Sequence, residues 1–408
     1  MSARADVVLV TQFFPPETGA GARRAGALAS ALAARTRLAV RTLAPGYPDP
    51  ALYEAGAAAR SDAALAARVT RGPAFRPHER SFTRRAWLEI GMARALVRGV
   101  REAAPRVVVV STPSMFLAPF AAWQARRCGA RLVWDLRDLT WRYALESAQP
   151  SWPQRLVLHA LEAVFVRLLR GADLVVAATP GIAAILAEQG VRADRIVTVT
   201  NGVTRAFLAA FGEAPRALPP RPRLTYVGLM GHNHDVRVLV DLARMLPEVD
   251  LHLVGDGPDR AAVEAHARAN GVANVVFHGY VTGPEALAAH YRDSDVLVAH
   301  TRATPTLDRI VVPAKTFEYF ATGRPVVYAG SGDTADRLRA LDLARVVPPG
   351  DASALATAVR AALADPAGSA ARAARARAWV AEHHAREARM DALVEDMVRR
   401  FGLDAAVV

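Results

Sequence analysis

Short apolar runs that end in loops rich in glycine, proline, serine and aspartate recur along the whole chain. In the first half they span residues 7–10, 38–43, 106–110, 131–134 and 173–176, and in the second half residues 224–227, 249–254, 275–277, 296–299 and 325–328. Patterns of helical period separate them, beginning with a helix expected around residues 22–34. Buried strands that alternate with helices predict parallel sheets with crossover connections. The chain is therefore predicted to be an α/β protein.

The alternation is interrupted once, and this interruption predicts two domains. At 408 residues the chain exceeds the size at which a single hydrophobic core stops growing. The pattern breaks between Asn201-Gly202 and a proline-rich linker at residues 215–222. We predict two Rossmann-like domains, residues 1–205 and 206–375, each with a doubly wound parallel sheet, facing each other across a cleft. A helical segment at residues 376–408 follows, and one possible arrangement is that it packs back on the N-terminal domain.

Hydropathy and cysteine content exclude several classes of protein. No apolar run reaches the roughly 18 uncharged residues of a membrane span, and residues 7–10 are too short a run for a signal peptide. Cys128 is the only cysteine, so an internal disulfide and a cysteine-based metal site are excluded. Clusters of histidine with metal-ligand spacing are also absent from the sequence. We expect a cytoplasmic protein that needs no metal or other cofactor.

The formal net charge of +12 predicts attraction to anionic partners. The sequence contains no zinc finger, aromatic RNA-binding signature or heptad zipper, so nucleic acid is not an expected partner. Residues 71–106 carry nine arginines against three glutamates. From about Arg84 the spacing predicts a helix with an apolar face that includes Leu88, Met92, Leu96 and Val100. This helix either lies on an anionic membrane or packs on the first sheet with a solvated basic face.

Lys315 is the only lysine, so arginine supplies the other 50 of the 51 basic residues. Arginine does not replace a compact ammonium group at a tight site. The single lysine is either an accident of composition or a group that a site requires. Its neighbourhood favours the second interpretation, because Lys315 follows Pro313 at the predicted beginning of a helix.

Six stretches resemble, in the same order, the large glycosyltransferase family four of retaining GT-B enzymes, and in particular its surface-polysaccharide branch. They are residues 11–20 (TQFFPPETGA), 135–141 (DLRDLTW), 201–203 (NGV) before Phe207, 253–258 (LVGDGP), 274–279 (NVVFHG) and 313–326 (PAKTFEYFATGRPV). The resemblance covers roughly residues 7 to 365. It implies transfer of a sugar from a nucleoside diphosphate sugar, with UDP the expected nucleotide, to an acceptor hydroxyl with retention. The acceptor is unknown, and a lipid-linked glycan at the inner face of the cytoplasmic membrane is one option.

Glycine loops and helix N-termini predict where the donor binds, because both present backbone N–H groups to phosphates. Ligands of open parallel sheets lie at the carboxyl ends of the strands. The predicted donor-binding residues are Gly19, Gly21, Gly228, Gly231, Gly255, His278, Gly279, Tyr280, Pro313, Ala314, Lys315, Thr316 and Glu318. The resemblance implies that Glu318 accepts hydrogen bonds from the ribose hydroxyls. An exposed helix charge is the alternative for this residue.

The chain departs from the family pattern at two places. The family has another glutamate before the equivalent of Glu318, with seven residues between the two, and Ile310 occupies its position here. The basic pair that often follows the first strand of the second domain is also missing. Arg237, Arg302 and Arg309 are alternative phosphate contacts. His232 or His234 is either a further contact of this kind or, as the favoured alternative, a surface histidine. These departures keep two further functions open, a related epimerase or coupling enzyme and a non-catalytic nucleotide-sugar-binding subunit.

Asp138, Lys315 and Glu318 are the predicted catalytic residues, and Glu17, Arg137 and Asp138 are predicted to lie on the acceptor side. Asp138 follows a predicted strand, where a carboxylate can orient or deprotonate a hydroxyl. A helix N-cap is the alternative for Asp138. Asp293-Ser294-Asp295 resembles a metal-binding DxD motif, but it precedes an apolar strand where the family has a structural aspartate, and metal is not expected there.

Overall fold

The computed structural model describes residues 4–46, 49–53, 56–75, 82–147, 150–212, 218–281 and 283–403. The chain forms two compact units. Unit one comprises Met1–Asn201 and Arg386–Val408, and unit two comprises Gly202–Ala385. These divisions differ from the predicted ones at 205/206 and 375/376. Residues 215–217 of the predicted linker lie outside the described residues.

Unit one contains a wholly parallel sheet. Its strands are β1 (Val7–Thr11), β2 (Leu38–Leu43), β3 (Arg68–Gly72), β4 (Val107–Thr112), β5 (Arg131–Leu136), β6 (Leu174–Ala177) and β7 (Ile196–Thr198). Its helices are α1 (Ala20–Ala33), α2 (Ala57–Ala63), α3 (Phe82–Val97), α4 (Leu117–Cys128), α5 (Thr140–Ser147), α6 (Trp152–Arg170), α7 (Pro180–Glu188) and, from the end of the chain, α17 (Arg386–Phe401). The seven strands have the order β3-β2-β1-β4-β5-β6-β7.

The core of unit one lies against the central strands β1 and β4, whose residues are all buried. Because both faces of a parallel sheet are covered by helices, these strands are continuous valine-rich runs rather than alternating ones. Leu28 and Leu32 of α1 share this core with Met390 and Val394 of α17. The last helix of the chain therefore completes the first unit.

Unit two contains a second parallel sheet, with the order β10-β9-β8-β11-β12-β13. Its strands are β8 (Arg223–Val227), β9 (Asp250–Val254), β10 (Val275–Gly279), β11 (Val296–His300), β12 (Val326–Ala329) and β13 (Arg345–Val347). Its helices are α8 (Arg205–Ala209), α9 (Arg237–Met245), α10 (Arg260–Ala269), α11 (Pro284–Arg292), α12 (Pro305–Ile310), α13 (Ala314–Ala321), α14 (Gly332–Ala340), α15 (Ala352–Ala364) and α16 (Pro366–His383). The prediction of two doubly wound parallel-sheet units is confirmed.

Most of the apolar face predicted for α3 is turned into the protein, whereas Leu88 near its beginning is exposed. Met92, Leu96 and Val100 are buried in unit one, whereas Arg94 and Arg98 are exposed. This part of α3 therefore packs on the sheet with a solvated basic face, and its Met92–Leu96 side cannot contact a membrane. Residues 76–81 of the basic stretch lie outside the described residues. Among the described residues, no helix combines the length and the apolar character that crossing a bilayer requires.

Candidate active site

Two glycine loops of unit two touch backbone to backbone at the carboxyl ends of β8 and β9. Gly228 has φ 152° and Gly255 has φ 136°, values that side-chain-bearing residues rarely adopt. A Cβ atom added at Gly255 would lie 2.0 Å from the carbonyl oxygen of Gly228. Glycine is thus required at both predicted positions, and the close packing leaves backbone rather than side chains at the loop surface.

Lys315 lies against the first of these loops. Its Nζ atom donates a 2.6 Å hydrogen bond to the hydroxyl of Tyr226 and lies 4.0 Å from the centre of the Tyr226 ring. A Cβ atom added at Gly228 would lie 2.7 Å from the same Nζ atom. The structure therefore brings Lys315 and Gly228 together, as predicted, and adds Tyr226, which was not predicted from the sequence.

Burial lowers the pKa of Lys315 to about 7, and the nearby charge of Glu318 partly offsets this effect. A charged amine is costly to bury because it loses its hydration, so its neutral form becomes relatively more stable. An anion bound beside Nζ would favour the ammonium form and raise the pKa again. Without ligand, the positive charge of this site is lost as the pH rises through about 7.

We expect kcat/KM for the donor to fall as the pH rises through about 7, because kcat/KM reports the ionisation of the free enzyme. Tyr226→Phe keeps the ring but removes the oxygen that accepts the ammonium hydrogen bond. The charged form then becomes less stable, so this limb of the pH profile should move to lower pH. A pH profile of kcat/KM for the parent and the variant checks both expectations, and an unchanged limb in Tyr226→Phe would contradict them.

The N-terminus of α13 is suited to an anion. Its N-cap, Pro313, provides no side-chain hydrogen bond, and its first turn, from Ala314, contains no acidic residue. Free backbone N–H groups and the helix dipole attract negative charge at such a terminus. Thr316 is buried, and no group of the described chain hydrogen-bonds to its hydroxyl. The predicted residues at positions 313–316 thus form one compact group with an unsatisfied polar atom.

Glu318 lies one turn further along α13 and is buried. The hydroxyl of Tyr291 donates a 2.9 Å hydrogen bond to its Oε2 atom. Tyr291 was not predicted, and it holds the carboxylate in a defined orientation. This geometry rules out the alternative of an exposed helix charge for Glu318.

The other predicted donor residues lie around the same strand ends. Gly231 follows β8, and Gly279, at the end of β10, accepts a hydrogen bond from the backbone N–H of Gly255. Tyr280 follows it and is half-buried. His278 is instead engaged with other histidines: its Nε2 atom lies 2.9 Å from Nδ1 of His252, and its ring lies 4.5 Å from the His290 ring.

His234 cannot provide a positive charge for phosphates. Burial lowers the pKa of His234 to about 3, and the positive charge of Lys315 is the second cause of this shift. The ring is therefore neutral at ordinary pH. Arg302 donates to the Asp235 carboxylate at 3.0 Å, and Arg237 lies 3.4 Å from the same carboxylate. Ile310 is buried, with 2% of its surface exposed, and offers no polar group to a sugar. Of the predicted phosphate contacts discussed so far, Lys315 is the one whose side chain lies against the Gly228 loop.

In unit one, Asp138 lies in the short loop between β5 and α5. Burial raises its pKa to about 6, although the neighbouring Arg137 charge opposes the shift. No described residue donates a hydrogen bond to its carboxylate. The effect of burial on its pKa therefore outweighs the opposing effect of the Arg137 charge. The carbonyl of Leu139 accepts from the N–H groups of Arg142 and Tyr143, so Leu139 is the N-cap of α5. The alternative of Asp138 as the N-cap is therefore wrong.

Arg137 packs on the N-terminus of α1. Its Nε atom donates to the carbonyl of Thr112 at 2.6 Å, and a Cβ atom at Gly21 would lie 1.8 Å from its Nη1 atom. This Nη1 atom is buried and has no hydrogen-bond partner in the described chain. Gly19, the N-cap of α1, provides no side-chain hydrogen bond, and the first turn contains no acid. The predicted residues Gly19, Gly21 and Arg137 thus lie together.

A buried ion pair supports this region and was not predicted. Asp135 accepts from Arg24 at 2.7 Å and from the Ser111 hydroxyl at 2.7 Å. Burial acts to raise the pKa of Asp135, but the charge and hydrogen bonds of Arg24 outweigh it and lower the pKa. The pair links α1 to the end of β5 and so positions the segment from which Arg137 and Asp138 project.

Glu17 has a structural position. Its carboxylate accepts the backbone N–H of Phe14 at 3.3 Å and that of Gly46 at 2.9 Å. Such bonds connect the loop after β1 to the loop after β2. Glu17 therefore stabilises loops, although it was predicted to lie on the acceptor side.

The DxD-like segment also has structural contacts. Asp295 accepts the backbone N–H of Arg223 at 2.7 Å, and the Ser294 hydroxyl bonds to that of Thr225 at 2.7 Å. Asp293 lies 3.4 Å from the Arg223 guanidinium. These bonds join the beginnings of β8 and β11, the end of the sheet opposite the glycine loops. The described residues contain no group of three or more histidine, cysteine or acidic residues able to hold a metal ion.

Comparisons with known proteins match each unit to a family. Residues 19–202 match the model for the glycosyl transferase 4-like domain, and residues 221–365 match the model for glycosyl transferases group 1. The chain is 31% identical over 154 residues to a GDP-mannose-dependent alpha-(1-6)-phosphatidylinositol monomannoside mannosyltransferase of Mycolicibacterium smegmatis, covering 38% of this chain and 40% of the relative. It is 28% identical over 180 residues to a 2-deoxystreptamine glucosyltransferase of Streptomyces kanamyceticus, covering 40% of this chain and 43% of the relative. Both matches thus span about two fifths of the curated relatives.

Solved structures match over nearly the whole chain. Anabaena Alr3699/HepE, in complex with UDP and glucose, has a TM-score of 0.68 at 17% identity, covering 97% of this chain and 100% of that chain. Sucrose-phosphate synthase from Thermosynechococcus elongatus has a TM-score of 0.74 at 20% identity, covering 97% and 99%. At such identities the likeness shows a shared fold, with two Rossmann-like domains of GT-B type.

Proposed function

We propose that the chain is a glycosyltransferase of GT-B fold, as its matches to two glycosyltransferase family models over residues 19–202 and 221–365 support, and that it transfers a sugar from a UDP-sugar to an acceptor hydroxyl. The observation that carries this proposal is the group formed by Lys315, the N-terminus of α13 and the Gly228 loop. Nζ of Lys315 lies beside backbone that a side chain would block, and the Thr316 hydroxyl has no partner in the described chain. Diphosphate oxygens fit this combination of charge, N–H donors and hydroxyl.

The chemistry follows from where charge develops. When the bond between the sugar and the nucleoside diphosphate breaks, negative charge grows on the departing phosphate oxygen. Donors fixed beforehand at that position stabilise the transition state more than water does, because they need no reorganisation. Lys315 provides the charge, and α13 provides N–H groups aligned with its dipole. The reaction proceeds with retention at the anomeric carbon, as the resemblance to the retaining family implies.

Asp138 is the proposed base for the acceptor hydroxyl. With its pKa near 6, the carboxylate is ionised at neutral pH yet basic enough to accept a proton in the transition state. Arg137, the preceding residue, packs on the N-terminus of α1, and this pairing of a guanidinium with a helix N-terminus suits an anionic acceptor group. We propose a glycan acceptor, carried by a lipid at the inner face of the cytoplasmic membrane, as the substrate of unit one.

UDP is expected to raise the melting temperature of the protein more than GDP, and both more than NAD, ATP or DNA. A ligand that binds only the native state at about 100 times its Kd adds about 2.7 kcal/mol of stability. For a protein of this size, that is an increase of several degrees. Thermal shift assays with each ligand at equal concentration check this ranking. A larger shift with DNA than with either nucleoside diphosphate would refute the assignment.

Glu318→Gln is expected to weaken UDP binding about 10- to 100-fold, because a charge-assisted hydrogen bond to the ribose becomes a neutral one. The amide oxygen can still accept from Tyr291, so the melting temperature without ligand should stay close to that of the parent. Titration calorimetry with UDP measures the affinity. Glu285→Gln is the matched control, since Glu285 is exposed on α11 and paired with Arg292. Equal affinities in the two variants would mean that the ribose contact lies elsewhere.

One observation favours a second function. Ile310 is buried at the position where the family has its first glutamate, so the usual acidic contact with the donor sugar is missing. A non-catalytic subunit that binds nucleotide sugars would need no such contact. Release of UDP from a UDP-sugar distinguishes the two functions, because a binding subunit leaves the donor intact.

A further inference from the structure

Helices α3, α4 and α6 form one layer on unit one. Parallel strands joined by right-handed crossovers place the connecting helices on the side set by the direction of each step along the sheet. The steps β3 to β4, β4 to β5 and β5 to β6 run in one direction, whereas β1 to β2 runs in the other. α3 packs beside α4, and α4 beside α6. The three helices therefore cover the face of the sheet opposite α1 and α17.

The outer side of this layer exposes large apolar side chains. Trp87 of α3 is 71% exposed, Trp123 of α4 is 50% exposed and Trp152 of α6 is 78% exposed. We call the set of exposed apolar residues on these helices the tryptophan face: Trp87, Leu88, Trp123, Trp152, Leu156, Val157 and Val164. Such concentrations of exposed apolar surface mark interaction sites in soluble proteins.

The helices that carry these tryptophans are rich in arginine. The three helices contain eight arginines, no lysine or aspartate and two glutamates. Both glutamates are engaged, because Glu89 is buried and accepts from Ser114, and Glu162 accepts from Arg142. The guanidinium of Arg127 lies 4.8 Å above the Trp123 ring. The arginines of this surface are complementary to a negatively charged partner. Its exposed tryptophans require that this partner also has an apolar layer beneath its charged groups.

Arg94 and Trp123 also line a groove between α3 and α4. The groove has a volume of about 600 Å³, and its other walls include Arg98, Pro119 and Phe120. Arg94 lies 5.7 Å from the centre of the Phe120 ring. The arginine side chains of this groove can contact the phosphate of a lipid headgroup, while its aromatic side chains can contact the methylene groups next to the headgroup.

We propose that the tryptophan face docks on an anionic phospholipid bilayer, with its tryptophans at the level of the headgroups. Tryptophan favours the membrane interface because its ring is amphipathic, and arginines near the surface are attracted by anionic lipids. A second copy of the chain fits less well, since a two-fold contact would bring two arginine-rich surfaces, each with the exposed Arg126 and Arg127, against each other. Docking of this face would bring unit one to a lipid-linked acceptor, and in this respect the inference rests on the proposed function.

Vesicle binding by the full chain, without donor or acceptor, tests the proposal separately from catalysis. Vesicles contain either phosphatidylcholine alone or equal parts of phosphatidylcholine and phosphatidylglycerol. The variant Trp123→Ser/Trp152→Ser is expected to bind the anionic vesicles at least about 10-fold more weakly than the parent. Its control is Met245→Ser/Leu341→Ser, because both residues are exposed apolar side chains of unit two.

A charge variant tests the second part of the surface. Arg126→Gln/Arg127→Gln is expected to lose about 10- to 30-fold in affinity for anionic vesicles, from about 1 kcal/mol per arginine near a membrane. Its control, Arg244→Gln/Arg268→Gln, removes the same net charge from unit two. Brominated lipids should quench the tryptophan fluorescence of the parent and quench it less in the tryptophan variant.

The two sets of outcomes separate the two proposals. Tight binding that both surface variants lose, with both controls unaffected, supports the docking surface even if no sugar is transferred. Absence of binding to anionic vesicles, equal binding by variants and controls, or binding of a soluble polysaccharide by the same tryptophans in place of vesicles overturns it. None of these results would alter the case for binding of a nucleotide sugar, which rests on the Lys315 group of unit two.

Discussion

Lys315→Arg is expected to lower kcat/KM for the donor about 30- to 1,000-fold, which corresponds to about 2–4 kcal/mol of transition-state stabilisation. Arginine retains the positive charge, so the loss arises from shape. Nζ of Lys315 fits between the Tyr226 ring, at 4.0 Å, and the Gly228 backbone. A planar guanidinium is larger and would displace either the glycine loop or the diphosphate. Steady-state kinetics with the matched donor measures the effect.

Lys315→Ala provides the necessary comparison. It removes the charge altogether and should damage catalysis at least as much as Lys315→Arg. Because burial disfavours the ammonium group in the free protein, its removal should not lower the melting temperature without ligand. If Lys315→Arg transferred sugar at the parent rate, the site would not require a compact ammonium group, and the single lysine would be an accident of composition.

Asp138→Asn is expected to lower kcat about 100- to 10,000-fold, the usual contribution of a general base. The amide is nearly isosteric and neutral, so it cannot accept the proton of the acceptor hydroxyl. Since Asp138 titrates near 6, activity of the parent should also increase as the pH rises through about 6. Kinetics at saturating donor and a pH profile check both statements.

Asp194→Asn is the control for this variant, because Asp194 is an exposed carboxylate of unit one that pairs with Arg192. Removal of a buried carboxylate that lacks hydrogen bonds should leave the melting temperature of Asp138→Asn unchanged or raise it. A parent-like rate in Asp138→Asn would assign the proton transfer to another group, such as the phosphate oxygen of the departing nucleotide.

Most buried strands could be predicted from the sequence, whereas the edge strands could not. β1 and β4 are continuous apolar runs because helices cover both of their faces. β3 contains two arginines and is partly exposed, and β7 and β13 are three residues long and half-buried. At the edge of a sheet a strand needs less apolar surface, so its composition resembles that of a loop. Hydrophobic patterning therefore predicted the class of fold but underestimated the number of strands in each sheet, because it missed β3, β7 and β13.

Site residues could be predicted where the residue itself is informative, either by its rarity in the sequence or by its position after a strand. Lys315 was identified by its rarity, and Gly228 and Gly255 by their place after strands. Tyr226 was not, because its contact with Lys315 joins positions 89 residues apart. The same holds for Arg24 and Asp135, which are 111 residues apart. His278 looked like a ligand because of its motif, but its ring packs among histidines, a contact that depends on how α11 lies on the sheet.

The most direct test of the central claim is product analysis with a panel of nucleotide sugars. The purified 408-residue chain would be incubated with each donor and with simple alcohols or a bacterial lipid extract as acceptors. We predict release of UDP matched by a new glycoside whose anomeric configuration is that of the donor, and loss of both products in Lys315→Ala. Binding of UDP-sugar with no release of UDP in any mixture, or formation of an isomerised nucleotide sugar instead of a glycoside, would contradict the account.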